Sequence, residues 1–233
     1  MNSENVSLTG TFVSFLKDQP PTKQLENAIA EIDLIGRLDS GVFDEIPFIS
    51  TLVAMVRSAK NIQAHFLLKK LLRFFAASSD ISEVERAETV NRMNTDEDYR
   101  RRITDELIVL LDRFDHLDKA YMLGKLYVGL VQKRVDEESF WRLGAAINRA
   151  YVGDLHHLLR QYSDFYYVLA PWERLHASGL ARLKVDVTRV TEFQLIEEVK
   201  VEYESNGDAS LLAKLVLGEE FQPWLELDRK DGR

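Results

Sequence analysis

The chain has 233 residues, of which 45% are apolar and 29% charged, and its formal net charge is -8. That composition excludes a disordered chain, and the acidity disfavours a nucleic-acid partner unless positive charge is locally concentrated. There is no cysteine, which excludes disulfides, thiolate catalysis, zinc–cysteine sites and iron–sulfur clusters. Met1 to Gly10 lacks the basic-then-apolar layout of a secretory signal. The uncharged stretch Ile46–Val56, at 11 residues, is too short to span a bilayer. A cytoplasmic protein is expected, with peripheral attachment to a membrane as the variation on that reading.

In chain order, residues 1–19 show no clear period and read as a loosely held end, although Phe12, Phe15 and Leu16 can dock a short segment. Pro20-Pro21 opens a helix with Leu25, Ala28, Ile29, Ile32 and Ile35 at helical spacing, closed by Ser40-Gly41. Phe48, Ile49, Leu52, Val53, Met55 and Val56 form the apolar arc of a second helix. Leu67, Leu68, Leu71, Leu72, Phe74 and Phe75 form that of a third. The two arcs do not align, so a break is predicted between Ser58 and Asn61, with Asn61 as N-cap. Ser78-Ser79-Asp80 ends the third helix, and Ser82 with Glu85 reads as a capping box.

Thr95 with Asp98 repeats the start signal. The next helix is expected to pair Asp96, Glu97 and Asp98 with Arg100, Arg101 and Arg102 four residues on, behind a core stripe of Ile103, Leu107, Leu110, Leu111 and Phe114. A helix from about Asp118 to Lys133 turns Leu123, Leu126, Tyr127 and Leu130 inward. Asp136 caps the next, Gly153-Asp154 restarts another, and Pro171 opens a last short turn that Gly179 closes.

After Gly179 the period changes from 3.6 to 2. Leu183, Val185 and Val187 alternate with polar residues, as do Val199, Val201 and Tyr203, giving two antiparallel strands. Phe193 and Leu195 join the second strand only through a bulge near Glu197. Asp208 is the expected cap of a short helix ending at Gly218, and the tail from Pro223 reads as frayed. The expected architecture is mainly α. A multi-helix bundle covers residues 20–178, a small two-stranded β appendage with a helix covers 179–218, and a tail covers 219–233. The helix-then-ribbon order over Asp154–Tyr203 is winged-helix-like.

The most informative feature is a charge asymmetry. Between Ile46 and Ser79 there is no Asp or Glu, while Arg57, Lys60, Lys69, Lys70 and Arg73 give the segment +5 and leave -13 for the rest. A basic amphipathic segment is a signature of binding to a protein partner or an anionic membrane surface. The competing reading is a core helix. Its eight large apolar side chains contribute roughly 1.5–3 kcal/mol each when fully buried, more than the ~1 kcal/mol per cation at a bilayer, so the core reading carries more weight. Asp112, Asp115 and Asp118 in DRFDHLD are weak metal candidates, lacking the loop glycine and terminal Glu of a calcium loop; a helix joint is preferred in which Asp115 or Asp118 caps the next helix and Asp112 pairs with a nearby Arg or Lys. His156 and His157 point in different directions on a helix, and there is no HExxH, GxSxG, Walker loop or GxGxxG. No cofactor is expected. The candidate reading helix, Pro171–Ser178, is short and offers Glu173 beside Arg174, which disfavours DNA binding. The function expected is therefore recognition without catalysis, and a homo-oligomer is compatible with it. A metal-binding joint and a winged-helix regulator stand as alternatives.

The phrases IPFISTLVAMV, FLLKKLLRFF, ISEVER, LLDRFDHLDKAYMLGKLY and FWRLGAAINRAY resemble the helical bacterial proteins of the Abi-alpha, or abortive-infection, group. SGLARLKV is similar to the short GL-containing β segment that follows the helices there, so the resemblance covers about residues 43–190. ISEVER also resembles, more faintly, the acidic helix start of TerB-like helical proteins, whose metal-binding acids find no position-by-position match. The resemblance implies a role in phage defence or stress response and supplies no catalytic motif.

Overall fold

The computed structural model describes residues 8–17, 25, 62–163, 171–189 and 197–218. These are mainly helical, with one two-stranded antiparallel sheet. Among them no helix is long and apolar enough to cross a membrane. The chain divides into two compact units, residues 1–140 and 141–233. This division falls at Phe140/Trp141 rather than at residue 179; the helix at 172–178 packs on the ribbon and the helix at 152–163 on the one at 207–217.

In the first unit, α1 (Leu8–Lys17) is a docked helix rather than a loose end: Phe12, Phe15 and Leu16 are fully buried. The reason is aromatic packing. The Phe15 ring stacks on Phe75 at 4.0 Å, and Phe12 lies 5.7–5.9 Å from Phe74, Phe75 and Tyr127. Rings at such distances add stabilisation beyond their buried area. Phe74 and Phe75 come from α2 (Ile62–Ala77), which also buries Leu68, Leu71 and Leu72. Ser78 ends α2 by donating its hydroxyl to the Phe74 and Phe75 carbonyls. The expected kink at 58–61 with its Asn61 cap, the helix after Pro21 except for the buried Leu25, and the segment Phe48–Val56 lie outside the described residues.

The Ser82–Glu85 capping box forms as expected at the start of α3 (Glu83–Thr95). The next cap differs: Asp96, not Thr95, accepts the Tyr99 N–H at 2.8 Å and opens α4 (Glu97–Arg101). With Asp96 serving as cap, the expected four-residue pairs are replaced by three-residue ones, Glu97–Arg100 at 3.4 Å and Asp98–Arg101 at 3.7 Å. A π-helical turn, Arg102–Glu106, then joins α4 to α5 (Leu107–Arg113). The extra residue in that turn re-aims the stripe: Ile103, Leu107, Leu111 and Phe114 are buried, while Leu110 is half-buried. α6 (Leu117–Val131) packs along α2, burying Leu123, Leu126, Tyr127 and Leu130 as the period predicts. α7 (Glu137–Arg149) begins at the expected Asp136 cap, whose carboxylate accepts the Ser139 N–H at 2.7 Å.

In the second unit, α8 (Val152–Ser163) packs against α10 (Gly207–Leu217), and α9 (Trp172–Ser178) packs on the ribbon. Gly179 closes α9 at φ +91°, a left-handed conformation that glycine adopts without a Cβ clash. Asn206 rather than Asp208 caps α10, its side chain accepting the Ala209 N–H at 3.0 Å, which frees Asp208 to hold Arg142 at 2.9 Å. The sheet is β1 (Ala181–Arg189) against β2 (Glu197–Ser205), with Leu183 opposite Tyr203, Val185 opposite Val201 and Val187 opposite Val199. Phe193, Leu195 and the tail from Pro223 lie outside the described residues.

Candidate functional site

The basic candidates do not form one outward stripe. Lys70 is buried, and its ammonium donates to the Asp112 main-chain carbonyl at 2.7 Å. Burial lowers its pKa, against the opposing pull of the Asp112 and Asp115 charges. Lys70 is thereby corrected from contact residue to part of the interior, because the helix turns it toward the α5–α6 joint. Lys69 and Arg73 are half-buried. Arg57 and Lys60 lie outside the described residues. Burial of Leu68, Leu71, Leu72, Phe74 and Phe75 makes α2 a core helix.

The three aspartates divide their work. Asp112 offers its carbonyl to Lys70, and Asp115 pairs with the buried Lys119 at 2.7 Å. Asp118 follows the cap, which is His116: its Nδ1 accepts the Asp118 N–H at 3.2 Å. Neither aspartate is the cap of α6, because the imidazole is the acceptor that reaches this amide. Among the described residues no group of three or more potential metal ligands converges.

At Asp115, burial opposes ionisation, but the hydrogen bond and charge of Lys119 outweigh it and hold the carboxyl below its ordinary value. A carboxyl depressed in the folded state contributes stability that is present above the unfolded pKa, near 3.9. That contribution is lost as pH falls through the folded pKa. Asp115→Asn is therefore expected to lower the melting temperature at pH 7 and to converge with the parent chain as pH falls through the depressed pKa of Asp115. A constant difference across a thermal series from neutral to acid would refute the assignment.

A second cluster was not foreseen. Glu137 holds Arg102 at 2.5 Å and Arg92 at 3.6 Å, and the Arg92 guanidinium lies 3.6 Å over the buried Tyr99 ring. Arg102 comes from the π-helical turn, a geometry that often marks functional positions. Here the carboxylate answers both cations, and Asp96 and Asp98 add negative charge near Arg102. The cluster ties α3, the π turn and the start of α7 together. Between α1 and α3 there is a shallow groove of about 340 Å3, lined by Leu16, Lys17, Glu83 and Arg86 among others. The Arg86 guanidinium is committed to the Ile81 carbonyl at 2.7 Å.

In the second unit, Arg174 of α9 makes hydrogen bonds of 2.6–3.1 Å to the buried Asp154. A seven-residue helix whose arginine is held in this way has little to offer a DNA major groove. The ribbon is different. On one face, residues of opposite charge are register partners: Arg182 with Glu204, and Lys184 with Glu202. The Arg182–Glu204 pair closes to 2.6 Å. On the other face, Leu183, Val185, Val201 and Tyr203 remain 45%, 50%, 52% and 37% exposed. Four apolar neighbours at this exposure on one face form a patch, which single surface leucines do not. α9 reaches the base of this face, with His176 5.4 Å from Tyr203. The alternation was legible in sequence, but its exposure was not, because period 2 cannot say whether anything covers a face.

No protein-family model matches the chain, and no curated protein or solved structure matches it.

Proposed function

We propose that the chain is a non-catalytic interaction protein that docks on a protein partner through the apolar face of β1 and β2. The observation that carries this reading is the contiguous exposure of Leu183, Val185, Val201 and Tyr203 beside a charge-paired face that fixes the register. The described charged clusters favour it too, being engaged in caps and ion pairs rather than gathered in a deep cleft. Among the described residues the membrane-contact reading of the basic segment is weakened by the burial of Lys70 and the apolar arc of α2. A setting in phage defence or stress response rests on the resemblance of the quoted phrases alone.

The test compares the full chain with its Val185→Asp/Val201→Asp form after crosslinking in cells and quantitative mass spectrometry. Val185 and Val201 are exposed but directly opposite each other, so the two new carboxylates repel across the register, and amide exchange in β2 is measured to show that the ribbon stays paired. Specific loss of a crosslinked species in the double variant, with its retention in Lys69→Glu, supports the reading. Identical crosslinked sets overturn it. So does sedimentation with vesicles of phosphatidylcholine and phosphatidylserine that Lys69→Glu abolishes and the double variant leaves intact.

A further inference from the structure

We infer that β1 pairs with β1 of a second copy of this chain, antiparallel and centred on Val185, joining two ribbons into one four-stranded sheet. The inference rests on the reading of the ribbon as an interaction surface and names the partner at its edge.

The first argument is the edge itself. β1 bonds to β2 on one side, and among the described residues no strand lies on its other side. Arg182, Leu183, Lys184 and Val185 are all exposed. An open edge presents unpaired N–H and C=O groups, and a lone two-stranded ribbon is only marginally stable. Ala181 is buried, so the available edge is Arg182–Thr188, and pairing along it supplies about six to eight main-chain hydrogen bonds.

The second argument is complementarity. Val185 is the middle residue of Ala181–Arg189. Antiparallel pairing about it sets Lys184 opposite Asp186, Leu183 opposite Val187 and Arg182 opposite Thr188. Two-fold symmetry repeats every pair, so the strand is its own complement and no like charges meet. β2 lacks this property. Centred on its own middle residue, Val201, it sets Glu198 opposite Glu204, and like charges directly opposite destabilise a sheet. Pairing β1 of one copy with β2 of the next is also charge-matched, but it leaves an open edge at each end and does not close. A β1–β1 dimer instead leaves only the two β2 edges outermost, where the glutamates oppose further growth.

The third argument is what the pairing creates. Each ribbon contributes Leu183, Val185, Val201 and Tyr203 to one face, so the four-stranded sheet doubles the exposed patch on that face. The dimer would thus assemble the surface that a further partner meets. The edge alone buries little area, so the association should be weak and concentration-dependent.

The experiment is sedimentation velocity on the full chain from about 1 to about 200 µM, with a reversible monomer–dimer equilibrium expected. Lys184→Asp and Asp186→Lys each turn two opposite-charge pairs into like-charge pairs, and each should weaken the dimer about tenfold or more. An equimolar mixture of the two restores opposite charges across the joint and should associate more tightly than either alone. Each substitution also faces a like charge within its own ribbon, so amide exchange in β2 is measured to show that the ribbon stays paired. Val185→Lys, at an exposed position on the two-fold axis, is the second variant and should also abolish the dimer. A chain that stays monomeric at the highest concentration overturns the inference, as do open-ended ladders, a Val185→Lys dimer equal to the parent, or a mixture no tighter than its components. If the chain is monomeric while Val185→Asp/Val201→Asp still strips a crosslinked species, only the dimer falls. If both results are negative, the interaction reading falls with it.

Discussion

Gly124→Ala is expected to destabilise the first unit by about 2 kcal/mol or more, although alanine is the better helix former by about 1 kcal/mol. Gly124 lies in α6 where that helix meets α2. A Cβ placed there would stand 2.5 Å from the Phe74 carbonyl oxygen and 2.7 Å from the Ala77 Cβ. Neither neighbour is the end of a flexible side chain. One is main chain and the other is a methyl fixed directly to it, so relief requires the two helices to separate. Separation loosens the contacts that Phe74, Leu123 and Tyr127 make along the same interface, and close-packed interiors lose dispersion energy quickly with distance. The steric term outweighs the propensity term, and the sign follows. Gly207→Ala is the control, since a Cβ there meets nothing within 4 Å. Urea unfolding followed by circular dichroism measures both. A Gly124→Ala chain as stable as the parent would mean that α2 and α6 do not approach this closely.

The second large effect lies one residue layer away. Phe74→Ala is expected to cost about 3–5 kcal/mol, the range for emptying a fully buried phenylalanine site. The Phe74 ring is 5.9 Å from Phe12, 5.7 Å from Phe75 and 5.5 Å from Tyr127, so its loss opens a cavity shared by α1, α2 and α6. Tyr127 supplies the contrast. Its ring is fully buried, and its hydroxyl meets no hydrogen-bond partner among the described residues. Burial pushes the phenol pKa up, so the group stays neutral. An unsatisfied buried hydroxyl costs about 1–3 kcal/mol, and Tyr127→Phe removes it while keeping the ring. Tyr127→Phe should therefore be neutral or stabilising in the same unfolding experiment that shows Phe74→Ala severely impaired. Equal losses from both would show that the hydroxyl is bonded.

Much of the fold was legible because it follows from local rules. The Ser82–Glu85 box, the Asp136 cap, the Gly179 stop and the inward stripe of α6 depend on residues within one or two turns of each other. The caps that were misplaced share one cause. Asp96, His116 and Asn206 each won against a neighbour that was also a good acceptor, and the choice depends on main-chain angles that spacing does not fix. Gly124 carried a weak signal, a small residue four after Ala120, but only the crossing of α2 made its missing side chain necessary.

The candidate site shows the same division. Residue order by itself determined the change of period after Gly179, the two strands, their apolar and charged faces and the self-matching pattern around Val185, because side-chain alternation in a strand is a property of the backbone. It also set the basic run around Lys69 and Lys70. Tertiary structure alone decided which way each of these faced. Rotation of α2 against α5 and α6 took Lys70 out of solvent, while among the described residues Leu183, Val185 and Val201 stay about half exposed. Burial is a relation between segments distant along the chain, and periodicity within one segment does not contain it.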